Sequence, residues 1–361
     1  MNIADFGAAY EGNFIRCVKA LESALKQTGG EFIWVFPSRA KNQEWAKKMV
    51  SEGKPIYFLS GSALPDAKLI RTLIKKHRIN LIHSHFADIK TYLPIRIASL
   101  NTKIPHIAHV HSEIKRTSGA LRIKLKNFLR NESINICAGE ALCDSLKEYG
   151  FKKGITVTNA VDFSRLDESG TSESAEALTK EKLNIAENSV TVLTFGYNFA
   201  VKGVDTALEA LAQYDKEHKY TLLICPASHM NEAEQQLKEK YGKIPDFVRL
   251  LPPTENIAEY YRFADIFLAA SRQEGFSYAV VEAAYCKTAL AVSDISAHRQ
   301  RNIPHCVFFE AGNPEKLFEA LGTAYKNKNE KKLSDASEYV KNEFSMDVWT
   351  EKIISVYKSF I

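Results

Sequence analysis

Asp265-Ile-Phe-Leu-Ala-Ala-Ser271-Arg-Gln-Glu274-Gly275-Phe276-Ser277-Tyr278-Ala-Val-Val-Glu282-Ala-Ala-Tyr285 reads as a strand, a polar turn and the opening of a helix. The run Asp265–Ala269 is short and apolar, the turn carries a glycine, and from Tyr278 small and apolar residues continue without a breaker. Strand, loop and helix make half of a βαβ unit, and the same rhythm repeats outward in both directions. Val190–Phe195, Tyr220–Cys225, Phe247–Leu250, Ala289–Val292 and Cys306–Phe309 read as strands, each followed by a helix-length segment. Phe32–Phe36, Ile56–Leu59, Leu81–His83, Ile104–Val110 and Ile134–Cys137 do the same in the first half. Continuous apolar runs of this kind belong to parallel sheets covered on both faces. The expected fold class is α/β: two Rossmann-like doubly wound parallel-sheet domains facing across a cleft, where ligands of such sheets bind.

The rhythm lapses over Asp167-Glu-Ser-Gly-Thr-Ser-Glu-Ser, which divides the chain. Residues 1–160 are expected to form one domain, 161–189 a linker region and 190–343 a second domain. Over 344–361, Val348, Ile353, Val356, Tyr357 and Phe360 fall at near-helical spacing, so a helix is expected to pack back on the domains. The chain of 361 residues is 45% hydrophobic and 25% charged, enough to bury two cores and far from a disordered composition. No window reaches the roughly 18 apolar residues of a membrane span, and the first residues lack the pattern of a secretory signal. Six cysteines without a C-x-x-C pair are expected to pack as small hydrophobes in a reducing cytosol, with neither a disulfide framework nor a zinc site.

The formal net charge of +5 conceals an asymmetry. Residues 1–155 hold 25 Lys+Arg against 13 Asp+Glu, net +12, which leaves 23 bases and 30 acids, net −7, for the remainder. The first half therefore suits an anionic surface or ligand. No RNP-type aromatic strand or zinc-finger spacing accompanies the charge, and nucleic acid is not an expected partner.

Chemistry concentrates where strands end. The turn puts Glu274 at the mouth of the cleft, Ser277 fits an N-cap, and the backbone N–H groups that open the helix suit a diphosphate. Gly275 lets the backbone come close. Glu282, about one turn into the helix, can accept two hydroxyls of a ribose, although the two glutamates alone also fit solvated helix-flanking charges. Lys202 precedes a helix expected over Val204 to Tyr214, a sensible position for a phosphate or for solvated surface. Phe6-Gly-Ala-Ala-Tyr-Glu-Gly12-Asn13 links the first strand to a helix, with Gly12 placed either for ligand approach or for backbone geometry. His83 with His85, and His109 with His111, share strand faces at a spacing of two. No acidic or cysteine ligand accompanies either pair, and no metal is expected. Lys115, Arg116, Arg122, Lys124, Lys126 and Arg130 interleave with Leu121, Leu125, Phe128 and Leu129 as a basic amphipathic helix. Its apolar stripe fits a core, and its cations fit anionic headgroups or a lipid diphosphate.

The whole block resembles the E-x7-E signature of the family 4 (group 1) retaining glycosyltransferases of the GT-B fold. Gly196-Tyr197-Asn-Phe-Ala-Val-Lys202-Gly203-Val204-Asp205 is similar to that family's G-R-L-x-x-x-K-G-x-D element. Leu81-Ile-His83-Ser-His85 and Ile155-Thr-Val-Thr-Asn159-Ala160-Val161-Asp162 are similar to its D-I-I-H-x-H and K-I-x-V-I-x-N-G-V-D segments. The resemblance implies transfer of a hexosyl or N-acetylhexosaminyl group, without metal or other cofactor, from a nucleotide-diphosphate sugar, UDP favoured. The acceptor implied is a hydroxyl, and the basic first half points to one on a glycan or lipid-linked molecule at the cytoplasmic membrane, in cell-surface polysaccharide assembly by a cytoplasmic enzyme peripheral at its inner face. It implies Gly12, Gly196, Tyr197, Lys202, Gly275, Phe276, Ser277 and Glu282 on the donor, with Lys202 and Glu274 catalytic. His111, with His109 as runner-up, would touch the transferred sugar or orient the acceptor, with Lys115, Arg116, Arg122, Lys124 and Lys126 on the acceptor or membrane side. The chain departs from the pattern at Tyr197, where the family has a phosphate-binding arginine, at Lys287, where it has a glycine, and at Gln300, where it has a glutamate. Arg299 or Arg301 is the expected substitute cation. These departures keep open a non-catalytic GT-B subunit that binds a glycan or partner transferase, and the shared architecture leaves, third, a nucleotide-sugar epimerase.

Overall fold

The computed structural model describes residues 1–8, 11–86, 89–111, 133–148, 151, 154–167, 178–196, 198–226, 229–254 and 256–360. They form two compact units, Met1–Ala160 with Met346–Ile361, and Val161–Ser345.

The first unit is a parallel sheet of β1 (Asn2–Ala4), β2 (Trp34–Pro37), β3 (Ile56–Leu59), β4 (Ile82–His85), β5 (His106–Val110), β6 (Ile134–Cys137) and β7 (Gly154–Thr156), in the order 3-2-1-4-5-6-7. Helices α1 (Gly12–Gln27), α2 (Glu44–Ser51), α3 (Ala63–Lys76), α4 (Ile89–Ala98) and α5 (Glu140–Glu148) connect the strands. Their strands carry apolar side chains on both faces, and Ile3 and Val35 pack in a different cluster from Trp34 and Phe36. The closing helix, α14 (Met346–Lys358), belongs to this unit. It buries Trp349, Ile353, Val356 and Tyr357 against Ile107, Ile136 and Trp34, so Trp349 takes the place expected of Val348.

The second unit repeats the plan with β8 (Val190–Phe195), β9 (Tyr220–Cys225), β10 (Val248–Leu250), β11 (Ile266–Ala269), β12 (Ala289–Ser293) and β13 (Val307–Phe309), in the order 10-9-8-11-12-13. Its helices are α6 (Phe199–Lys202), α7 (Val204–Tyr214), α8 (Met230–Tyr241), α9 (Ile257–Phe263), α10 (Tyr278–Tyr285), α11 (Ser296–Arg299), α12 (Pro314–Asn327) and α13 (Glu330–Phe344). Alternation is strict: Ile266 and Leu268 of β11 face one cluster, Phe267 and Ala269 the other. Asn313 and Asn329 cap α12 and α13 through their side-chain oxygens, and Pro314 sits in the first turn, where no N–H is needed. The two doubly wound sheets are those the apolar runs predict.

One expectation is corrected. Cys137 at the end of β6 and Cys143 in α5 form a disulfide across a strand–helix corner, a spacing of six that a search for C-x-x-C does not catch. Gly154 on β7 makes room for it, since a Cβ there would lie 2.8 Å from each sulfur. The other four cysteines form no disulfide. Among the described residues no helix is long and apolar enough to cross a membrane.

Candidate functional site

In each sheet the strand order reverses once, between β1 and β4 in the first and between β8 and β11 in the second. Loops diverge at such a point and leave a crevice at the carboxyl ends of the strands. Gly12, Gly196, Lys202, Glu274 and Gly275 fall on or just beyond those loops, whereas His83, His85 and His109 lie on strands and Glu282 within a helix.

In the second unit, Gly196 follows β8 so closely under α7 that a Cβ would lie 2.4 Å from Val204 Cγ2. Asn198 caps α6 by accepting from the Val201 N–H at 3.1 Å, and Lys202 closes that helix. Gly203 then turns left-handed, φ +70°, with its α-carbon against the end of β11, where a Cβ would lie 1.9 Å from the Ala270 carbonyl oxygen. The loop after β11 is tied to the same corner. The Arg272 N–H donates to Val201 O at 2.9 Å, and its guanidinium reaches Asp205 at 2.8 Å, Thr206 at 2.9 Å and the Ala200 carbonyl. This bracing brings Lys202 and Glu274 together across 72 residues. Lys202 Nζ donates to Glu274 Oε1 at 2.5 Å, and Ser271 Oγ donates to the same oxygen at 2.9 Å. Both side chains keep some exposure, 23% and 17%, so the pair is open to an incoming anion.

The helix start differs from the N-cap expected. Ser277 lies in the left-handed region, φ +63°, and its hydroxyl makes no cap. Instead Ser277 Oγ lies 3.1 Å from Nε2 of His298, which is buried under α10. His298 Nδ1 faces the Ser293 carbonyl at 2.9 Å. That carbonyl only accepts, so Nδ1 carries the proton, and Nε2 accepts from Ser277. Burial, reinforced by Lys202 and Arg301, holds this histidine below its ordinary pKa. His298 is the residue that sequence reasoning missed: it lies 21 positions from Ser277, in a different βα unit. Gly275 is exposed at the turn, whereas the Phe276 ring is core, beneath the Arg301 guanidinium at 4.6 Å, so Phe276 offers its backbone only.

Glu282 is buried at 7% exposure and already engaged. Its Oε2 accepts from the Tyr261 hydroxyl at 2.8 Å, and its Oε1 pairs with Arg165. Burial and the Glu282 charge push the Tyr261 phenol well above its usual pKa, so it remains a donor. The expected substitute arginines go elsewhere: Arg299 stacks on Phe308 at 4.6 Å, and Arg301 is buried with Nε donating to Ala297 O at 3.0 Å. Gln300 donates to Ser296 Oγ at 2.9 Å. Lys287, just past α10, is left-handed at φ +61°. Tyr197 lies outside the described residues.

In the first unit, Gly12 opens α1 at φ +62°, a conformation that favours glycine. The parallel register sets His85 opposite His109, so His83, His85, His109 and His111 share one face of the sheet, under Trp349 and Tyr357 of α14. His106 points to the other face, 2.8 Å from Ser84 Oγ. His111 stacks on Phe86 and His109 at 4.1 and 4.2 Å, its Nε2 lies 3.2 Å from His85 Nδ1, and Asn159 hydrogen-bonds to it. Enclosure by these rings pushes His111 down to about 3, so it is neutral at physiological pH. His83, His85 and His109 offer ring nitrogens all within 4.8 Å of one another. The basic residues Lys115, Arg116, Arg122, Lys124, Lys126 and Arg130 lie outside the described residues.

Two family models divide the chain between them. The one described as Glycosyltransferase Family 4 matches residues 16–165, and the one described as Glycosyl transferases group 1 matches residues 176–343. An uncharacterized glycosyltransferase of Haemophilus influenzae is 22% identical over 311 residues, 84% of this chain and 82% of that protein. Among solved structures, a glycosyltransferase from Rickettsia africae superposes with a TM-score of 0.79 at 19% identity, covering 99% of this chain and 98% of that one. HepE of Anabaena, solved in complex with UDP, superposes with a TM-score of 0.79 at 17% identity, covering 99% of both chains. The motifs, both sheets and both family matches agree, and the chain belongs to the group 1, family 4 glycosyltransferases of the GT-B fold.

Proposed function

We propose that this glycosyltransferase moves a hexosyl or N-acetylhexosaminyl group, with retention, from a UDP-sugar to a hydroxyl of a glycan or lipid-linked acceptor in cell-surface polysaccharide assembly. The observation that carries the reading is the Lys202–Glu274 pair, braced against the start of α10 at the reversal point of the second sheet. Lys202 would leave Glu274 for the departing diphosphate, whose charge the first turn of α10 also faces. Glu274 would then hold sugar hydroxyls, and Glu282 the ribose. Electrostatic stabilisation of the leaving group supplies the catalysis, and the departing phosphate oxygen takes the acceptor proton, so no general-base carboxylate is needed. UDP is favoured because HepE has been crystallised with UDP and with UDP-glucose. His111 is assigned to the acceptor side, and Lys115, Arg116, Arg122, Lys124 and Lys126 to an anionic acceptor or membrane surface.

The test is thermal stability against UDP-, GDP-, ADP- and dTDP-sugars, followed by transfer assays on Glu274→Ala. A ligand at about 100 times its dissociation constant stabilises the fold by roughly 2.7 kcal/mol. A shift with UDP-sugars, with transfer abolished and the fold kept in Glu274→Ala, supports the proposal. Full turnover by that variant refutes the role of Glu274, and no shift with any nucleotide refutes the donor site.

A further inference from the structure

We infer that His83, His85 and His109 form a binding site for one divalent transition-metal ion, zinc by ligand type, inside the first unit. Read along the sequence, the histidines are two pairs without an acidic partner. The parallel pairing of β4 with β5 brings them onto one face, with three ring nitrogens mutually within 4.8 Å.

Two observations point to a ligand beyond mere proximity. His83 Nε2 and both ring nitrogens of His109 are buried without a hydrogen-bond partner, in side chains only 1% and 2% exposed. Buried imidazole nitrogens ordinarily find one. The second is the outer shell. His83 Nδ1 is 2.6 Å from the Tyr357 hydroxyl, which fixes the ring; with the Nδ1–H donating to that oxygen, the Nε2 lone pair faces its neighbours, the usual arrangement behind a metal-ligating histidine. His85 Nε2 is 2.9 Å from Asn2 Nδ2, and Asn2 Oδ1 is itself buried without a partner. Turning that amide over lets Oδ1 accept from the His85 Nε2–H, and Nδ1, which faces His111 Nε2 at 3.2 Å, becomes the third ligand atom once the ion displaces that contact.

Three neutral imidazoles with a solvent-derived fourth ligand are an established zinc set. Zinc–nitrogen bonds of about 2.0–2.1 Å place ligand nitrogens about 3.4 Å apart, so the rings need to close by at most about 1.4 Å.

The test uses the full chain without a polyhistidine tag, dialysed against chelator and titrated with Zn²⁺ by calorimetry and with Co²⁺ by visible absorption. One ion per chain, with the bands of tetrahedral cobalt, is expected. His83→Ala should weaken binding about 100-fold or more, since even outer-shell partners of such histidines account for 10- to 100-fold. His109→Phe fills the same space without a ligand atom and should fold, by circular dichroism, yet bind no ion. His106→Ala, on the opposite face, should bind like wild type. Loss of fold on chelation, restored by Zn²⁺, also supports the site. Absence of stoichiometric binding, or binding unchanged in His109→Phe, overturns it. None of these readouts involves donor or turnover, so the outcome is independent of the proposed function.

Discussion

The hydroxyl of Ser277 and Nε2 of His298 lie 3.1 Å apart, and this contact pins a serine in the left-handed backbone region at the start of α10. That conformation costs an ordinary residue roughly 1–2 kcal/mol, so the contact helps to fix the turn that faces the diphosphate in the proposed reading. His298→Ala leaves the Ser277 hydroxyl buried without its partner, worth about 1–3 kcal/mol. UDP affinity measured by calorimetry should fall about tenfold, since 1.4 kcal/mol is a factor of ten. Ser277→Gly, which needs no pin, should fold at least as stably as wild type. Unchanged UDP affinity in His298→Ala would remove His298 from the positioning role.

His298 also predicts an acid limit. In the unfolded chain a histidine titrates near 6.5, whereas burial keeps the folded His298 neutral to lower pH. Between those values the unfolded state binds the extra proton, so the stabilisation is complete above about pH 6.5 and declines as pH falls. The fall in melting temperature from pH 7.5 to 5.0 should be smaller in His298→Gln than in wild type. Parallel curves would show that His298 protonates freely in the folded protein.

Gly203 fixes where Lys202 points. A Cβ at this residue would sit 1.9 Å from the Ala270 carbonyl oxygen, a backbone atom that cannot move without bending β11. Gly203→Ala should therefore destabilise by about 2–4 kcal/mol, combining left-handed strain with the clash. The melting temperature should drop by roughly 5–10 °C. A smaller drop would mean that the corner between α6 and α7 is not rigid.

The sheets were legible because their strands are buried on both faces. Val190–Phe195 and Tyr220–Cys225 are runs of apolar residues and threonine, and the strands begin and end where the runs do. The strand Gly154–Thr156 was not, since three residues, one a glycine, carry no periodicity. At the site, Glu274 and Lys202 were legible through motif spacing. Arg165 was not, because only the folded chain brings it to Glu282 across 117 residues. Ser277 shows a second limit, because a serine before a helix signals a cap, yet the backbone here turns left-handed and sends the hydroxyl to His298. The cysteine pair shows a third, since the corner between β6 and α5, not a sequence pattern, joins Cys137 to Cys143.

Lys287 occupies a left-handed position, φ +61°, immediately after α10, where helices commonly end on glycine. This accounts for the glycine of the family pattern there as a helix stop. Lys287→Gly should raise stability by about 1 kcal/mol, or roughly 2–4 °C in melting temperature, and leave UDP affinity unchanged. A change in affinity without a gain in stability would give Lys287 a part in the site instead.

Glu282 offers the sharpest test of the ribose assignment, because its carboxylate is already shared by Tyr261 and Arg165. Glu282→Gln keeps an acceptor for Tyr261 but leaves no second oxygen for a diol, so UDP affinity should fall at least about tenfold while the fold persists. Glu282→Ala strips the partner from a buried tyrosine as well and should unfold at lower temperature than Glu282→Gln. Arg165→Gln works in the opposite direction. The Arg165 side chain is 31% exposed and its pairing is worth up to about 1 kcal/mol, so freeing the carboxylate should improve UDP binding by about fivefold or less. If Arg165→Gln instead loses UDP as severely as Glu282→Gln, the pair acts as one structural unit and the ribose must be held elsewhere.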